Sequence, residues 1–201
     1  MIEILVLYYS RYGATEALAK EVCKGIDAVH ACSARLRTVP AVSAVTQAVD
    51  QATEDTIPDS GPPYVSANDL AQCSGIVMGS PTRFGNMSAA LKYFLDKTGT
   101  DWIKGTLIGK PAGVFTSTSS AHGGNESTLL TMAIPLLHHG MVYVGLPFSE
   151  ELLSSTTTGG SPYGASHVSW NKKPDSLSDD EKRLAIALGK RVAKIALKLA
   201  S

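Results

Sequence analysis

The chain has 201 residues, 44% of them hydrophobic and 18% charged, which allows one sizeable core and excludes a wholly disordered or collagen-like protein. Eighteen basic residues balance 18 acidic ones, so no net charge marks the chain for nucleic acid or a membrane surface, and neutrality argues against an acidic electron shuttle that docks on basic partners. Cys23, Cys32 and Cys73 are odd in number and show no CxxC pairing, the pattern of free thiols in a reducing compartment.

Residues 2–9 form a near-continuous apolar run, which reads as a parallel strand covered on both faces and is too short for a signal peptide. After a loop at 10–15, Leu18, Ala19, Val22, Cys23 and Ile26 recur at helical spacing, with Glu16, Lys20 and Lys24 on the opposite face. A weaker second strand is expected around 34–39 and a short helix over 41–52. Residues 55–67, with Pro58, Gly61, Pro62 and Pro63, read as a loop. A third strand follows at 75–79, then a helix over 88–97 with Ala89, Leu91, Phe94 and Leu95 as its apolar positions. A fourth strand fits 111–116 and a fifth 141–144; the helix between them, 126–137, must end or kink at Pro135. The apolar region 129–148 is broken by Pro135, His138, His139 and Gly140, so it reads as a buried helix and strand, not a membrane span, and the protein is expected to be soluble and cytoplasmic. Residues 154–174, rich in Ser, Thr and Gly, read as a long loop. Ser178 and Glu181 then form a capping-box signature ahead of a helix marked by Leu184, Leu188, Val192, Ile195 and Leu199. Asp179, Asp180 and Glu181 read as favourable charge on its first turn.

Alternating strand–helix units predict an α/β fold, a doubly wound five-stranded parallel sheet with helices on both faces, as one domain over 1–201. The loops after the strands then share one edge. In the strand order 2-1-3-4-5 the ligand crevice lies between the first and third strands.

Three loops fall on that edge. Ser10, Arg11, Tyr12, Gly13, Ala14 and Thr15 place hydroxyls and a flexible glycine at a helix N-terminus, which suits a phosphate dianion. The loop lacks the lysine of a Walker motif and the GxGxxG of a dinucleotide fold, so a phosphate monoester fits better than a pyrophosphate. Its alternative is an ordinary helix cap. The second loop, Gly79 through Met87, crowds the donors Thr82, Arg83 and Asn86 around Phe84, which suits a flat, polar-edged ligand; the alternative is a turn with Ser88 as N-cap and Phe84 as core filler. The third, Ser117 through Gly124, lets backbone approach a ligand closely or is merely a flexible surface loop.

The segments VLYYSRYGATE, GSPTRFGNMSAALKYFLDKTG, HHGMVYVG and SPYGAS occur in an order and over a span that resemble the WrbA-type NAD(P)H:quinone oxidoreductases, flavodoxin-like proteins that bind FMN. The resemblance implies a flavodoxin-like fold, FMN as cofactor, NADH or NADPH as co-substrate, two-electron reduction of quinones by hydride transfer through the flavin, and a homotetramer. It implies that Ser10, Arg11, Tyr12, Gly13, Ala14 and Thr15 hold the FMN phosphate, that Pro81, Thr82, Arg83 and Phe84 flank the flavin, and that Ser117, Thr118, Ser119, Ser120, Ala121 and His122 complete the pocket. Tyr12 corresponds to a residue of the nicotinamide-nucleotide site, His138 to a flavin-site histidine, and Trp102 to an aromatic on the substrate side, supplied across a tetramer interface.

No residue is nominated as a catalytic nucleophile or metal ligand. His138 and His139 diverge on a helix, and Gly123-Gly124 argues against a helix joining His122 to Glu126. Trp170, in the irregular segment, reads as packing. The third loop, residues 41–63 and the stretch 167–173 depart from the family pattern, the last replacing a glycine-rich segment. The rival reading is a flavodoxin-type electron-transfer protein without NAD(P)H dehydrogenase activity of its own.

Overall fold

The computed structural model describes residues 1–42, 58, 60–170 and 173–200. Among these residues thirteen elements occur in the order β1 (Ile2–Tyr8), α1 (Ala14–Asp27), β2 (Cys32–Thr38), α2 (Ala67–Gln72), β3 (Gly75–Pro81), α3 (Ala89–Asp96), α4 (Gly99–Ile103), β4 (Pro111–Thr118), α5 (Asn125–His138), β5 (Val142–Tyr143), α6 (Leu152–Ser155), β6 (Ala165–Val168) and α7 (Asp179–Leu199). The strands make one parallel sheet in the order β2-β1-β3-β4-β5, with β6 also paired to β4.

The apolar run of β1 divides by its period of two. Ile4, Val6 and Tyr8 join α1 and α7 in one core, whereas Leu5 and Leu7 join α3 and α5 in the other. Val77 and Phe115 follow the first set, and Met78 and Val114 the second. Helices therefore cover both faces, as the sequence pattern predicts.

α1 and α7 approach closely because glycines stand at their crossing. A Cβ on Gly189 would lie 2.1 Å from Val22 O, and one on Gly25 would lie 2.0 Å from Ile186 O. α7 opens with the expected capping box: Ser178 Oγ accepts from Glu181 N at 3.2 Å, and Glu181 Oε2 accepts from Ser178 N at 2.8 Å.

Two expectations need correction. The fifth sheet position is shared by two short strands: β5 pairs with Pro111 and Ala112, and β6 pairs with Phe115 through Thr118. The stretch 154–174 is thus not simply a loop, since it carries β6; four residues without alternation give no strand signal of their own. The helix expected over 126–137 is α5, which passes Pro135 and runs to His138. The missing N–H removes one helical bond, and His139 N closes the next turn on Pro135 O at 3.0 Å. The expected helix over 41–52 falls almost wholly outside the described residues. No helix among the described residues is long and apolar enough to cross a membrane.

Candidate functional site

Tyr9 N donates to Gly79 O at 3.1 Å, so the loops leaving β1 and β3 begin side by side. The first turns through Gly13 at φ 90, a left-handed value open to a residue without Cβ, and Gly13 N donates to Ser10 Oγ at 3.1 Å. α1 then starts with no side-chain cap. Its first N–H groups have no preceding helical carbonyl to bond, and they carry the positive end of the helix dipole. Buried Thr15 bonds through Oγ1 to Ser117 Oγ at 2.8 Å, which ties the first loop to the third. Thr82 N donates to Ser117 O at 2.9 Å, and Thr82 Oγ1 accepts from Thr128 Oγ1 at 2.8 Å. The second loop is thereby fixed to the third loop and to α5.

These ties enclose a cleft of about 400 Å³ at the C-terminal edges of β1, β3 and β4. Of the residues nominated from sequence, Ser10, Arg11, Tyr12, Ala14, Thr15, Pro81, Thr82, Arg83, Ser117, Thr118 and Ser119 line it. Arg11 also lies over the Tyr12 ring, 5.5 Å from its centroid. Gly13 shapes the turn behind the cleft. Ser120, Ala121 and His122 lie outside its lining, where the carbonyl of Ser120 accepts from Thr118 Oγ1 at 2.8 Å and that of Ala121 from Asn125 Nδ2 at 3.2 Å.

Phe84 is neither in this cleft nor in a core. Arg83 and Asn86 exchange backbone bonds of 2.7 and 3.0 Å around Phe84 at φ 53 and Gly85 at φ 76, a tight hairpin with left-handed values at both central positions. The Phe84 side chain projects fully exposed from its tip.

Trp102 and His138 line a second cleft, of about 480 Å³, between α3, α4 and α5. Trp102 Nε1 donates to His138 O at 2.8 Å, and the indole is more than half exposed. His139 lies buried in the same wall. Thr98 Oγ1 donates its proton to Leu95 O at 2.7 Å, so it accepts from His139 Nε2–H at 3.0 Å. Nδ1 is left a buried acceptor without a partner among the described residues. Burial lowers the His139 pKa against the opposing pull of Asp101, and His138 lowers it further.

Two features escaped the sequence reading. Trp170, expected to pack, lines the first cleft with Ser169 and Pro174 while 48% exposed. Its backbone is left-handed at φ 50, which costs a bulky residue about 1–2 kcal/mol. Glu181 is not a surface charge either. Its Oε1 accepts from Thr158 Oγ1, Gly159 N and Val168 N at 2.7, 3.1 and 3.0 Å, and its Oε2 meets His167 Nδ1 at 2.8 Å. Burial alone would raise its pKa, but the bonds from His167, Thr158, Val168 and Ser178 outweigh burial and hold it at about 2. The His167 ring reaches on to Pro174 O at 2.9 Å, so both its nitrogens face oxygen atoms. Nothing in a DDE run distinguishes a solvated carboxylate from this buried one.

A parallel sheet with this strand order and an uncapped, hydroxyl-ringed helix start at its switch point defines a flavodoxin-like protein with a crevice whose donors suit an anion. The chain belongs to the NADPH-dependent FMN reductase family, whose profile matches residues 3–149. It is 42% identical over 201 residues to a protein of Syntrophobacter fumaroxidans named NAD(P)H dehydrogenase (quinone), covering 98% of both chains. It is equally identical to a protein of that name from Geobacter sulfurreducens, covering 98% of this chain and 99% of that one. Among solved structures it resembles a WrbA-like flavodoxin from Agrobacterium tumefaciens (TM-score 0.66, 21% identity, 98% of this chain and 99% of that one). It also resembles an oxidised flavodoxin 1 from Bacillus cereus (TM-score 0.55, 16% identity, 96% and 97%). At these identities the structures speak for the fold.

Proposed function

We propose that the chain is an FMN-dependent NAD(P)H:quinone oxidoreductase. The observation that carries the reading is the uncapped start of α1 in a hydroxyl-lined cleft at the sheet's switch point; the shared name of its 42%-identical relatives supports it. FMN fits this cleft: the N–H groups opening α1 and the hydroxyls of Ser10 and Thr15 suit its phosphate, and the Thr82, Arg83 and Ser117–Ser119 walls offer donors to its ribityl chain and ring edge. Arg11 and Arg83 add positive charge at the rim. Bound FMN would supply the redox chemistry, two-electron transfer from NADH or NADPH to a quinone.

The protein's part is to orient and to exclude. The Thr15–Ser117 and Thr82–Thr128 bonds hold the loops in register, so the cleft needs little rearrangement to accept its ligand. Tyr12 is the residue for the nicotinamide nucleotide, and exposed Phe84 offers a ring face to a flat acceptor. Trp102 and His138 belong to a different cleft, so in this reading they serve a neighbouring copy's flavin within a homotetramer. Exposed Ile103, Ile108, Leu130, Ile134, Leu137 and Val142 around them support such an assembly. The chain is one flavodoxin-like domain of the cytoplasm, a compartment that suits three unpaired cysteines.

The test is the visible spectrum of the purified protein, then its oxidation of NADH and NADPH with benzoquinone as acceptor. Flavin absorption with sustained, quinone-dependent oxidation by the protein alone is expected. Flavin binding without turnover would leave the electron-carrier reading instead.

A further inference from the structure

The three loops leave one wall of the flavin cleft to the segment after β6, and that wall is Ser169, Trp170 and Pro174. Trp170 and Tyr12 are the aromatic side chains among the described residues that line the cleft. Packing does not account for Trp170: it belongs to neither apolar core, and its indole has no hydrogen-bond partner within the described residues. Its backbone is left-handed at φ 50, a conformation that persists in a bulky residue only when the surroundings impose it.

The surroundings do impose it. Ser169 is pinned to the third loop, with N and Oγ both donating to Thr118 O at 3.0 and 3.3 Å. At the far end Pro174 is held by the His167 ring, which Glu181 anchors from behind. Trp170 thus follows a residue tied to the third loop, and Asp175, next to Pro174, stands beside the first loop, where a Cβ on Gly13 would lie 3.5 Å from Asp175 Cβ.

We propose that Trp170 is a cofactor-contacting residue whose indole covers the phosphate and ribityl end of the bound flavin nucleotide, opposite Tyr12. The proposal rests on the FMN reading above. Covering that end removes water from the phosphate contacts and slows release of the cofactor. It also puts an indole beside the flavin, where its emission is quenched.

The experiment is titration of the full-length apoprotein with FMN, followed by flavin and tryptophan fluorescence, with thermal melting of each apoprotein. Trp170→Gly is expected to raise the FMN dissociation constant about tenfold, and Trp170→Phe to restore most of the affinity. The Trp170→Gly apoprotein should melt no lower than the parent, because glycine adopts the left-handed backbone freely. In a Trp102→Phe background, where Trp170 is the remaining indole, FMN should quench most of the tryptophan emission. Unchanged affinity in Trp170→Gly, with the parent binding FMN, overturns this proposal and leaves the flavin reading standing. A markedly lower melting point for that apoprotein also overturns it, by making Trp170 a packing residue. A parent protein that takes up no FMN overturns the flavin reading and this proposal together.

Discussion

Phe84 combines a left-handed backbone, φ 53, with a side chain that touches almost nothing in its own chain. For a residue with a bulky Cβ this conformation costs about 1–2 kcal/mol, and no burial within the chain offsets it. Asparagine tolerates that backbone far better. Phe84→Asn is therefore expected to stabilise the apoprotein by about 1 kcal/mol in urea denaturation. Quinone turnover should fall at the same time, because the ring face is gone. A variant less stable than its parent would show that the hairpin is not strained. Thr82 gives the opposite case. Thr82→Val keeps the volume but removes the acceptor for Thr128, costing about 1 kcal/mol of stability and weakening FMN retention measured by dialysis. Residues of this kind were legible in the sequence because hydroxyls, arginine and an aromatic crowd two short loops after strands. The aim of Phe84 was not, since an exposed hairpin tip and a core filler have the same composition.

Among the elements, β6 shows why local pattern ran out. Its residues Ala165, Ser166, His167 and Val168 are all buried, so the strand carries no alternation, and two of its side chains are polar. They are tolerated because Ser166 Oγ accepts from Gly160 N at 2.7 Å and His167 is paired with Glu181. That network joins β6 to the start of α7, a relation between positions 14 apart that no periodicity reports. By contrast α1 and α7 were readable from helical spacing, and their strands from unbroken apolar runs. The Glu181 pair has a definite pH signature. Its folded pKa of about 2 lies below the ordinary 4.5, so its contribution is fully present above about pH 4.5 and is lost as the pH falls toward 2. Urea midpoints measured through that window should decline in the parent, whereas Glu181→Gln should start lower by about 3 kcal/mol at neutral pH and decline less. Equal acid sensitivity in both proteins would mean that other carboxylates dominate. The α1–α7 crossing predicts a further loss: Gly189→Ala forces a methyl against Val22 O and should cost about 1–3 kcal/mol in the same measurement.

At the scale of the whole molecule the candidate residues fall into two groups that one chain does not unite. The phosphate loop and its partners form one cleft; Trp102 and His138 form another, flanked by apolar side chains that water covers in the isolated chain. On α5, Leu130, Ile134 and Leu137 are spaced to share a stripe, and each is substantially exposed. A net charge of zero offers no long-range repulsion between copies, so this stripe suits self-association. The cleft proposed for the FMN phosphate, in contrast, is assembled from loops of a single chain. Assembly and cofactor binding should therefore separate under mutation. Leu137→Lys puts a charge on the stripe without touching either core, so the chain should still fold and bind FMN with its parent affinity. In the proposed assembly, light scattering should show the parent's oligomer reduced to smaller species, and quinone-dependent NAD(P)H oxidation should fall along with it, because each flavin would lose the Trp102 and His138 proposed to come from its neighbour. A parent that is monomeric at assay concentration, or a Leu137→Lys monomer with undiminished turnover, would show that a single chain holds everything the reaction needs, and that the second cleft serves another purpose.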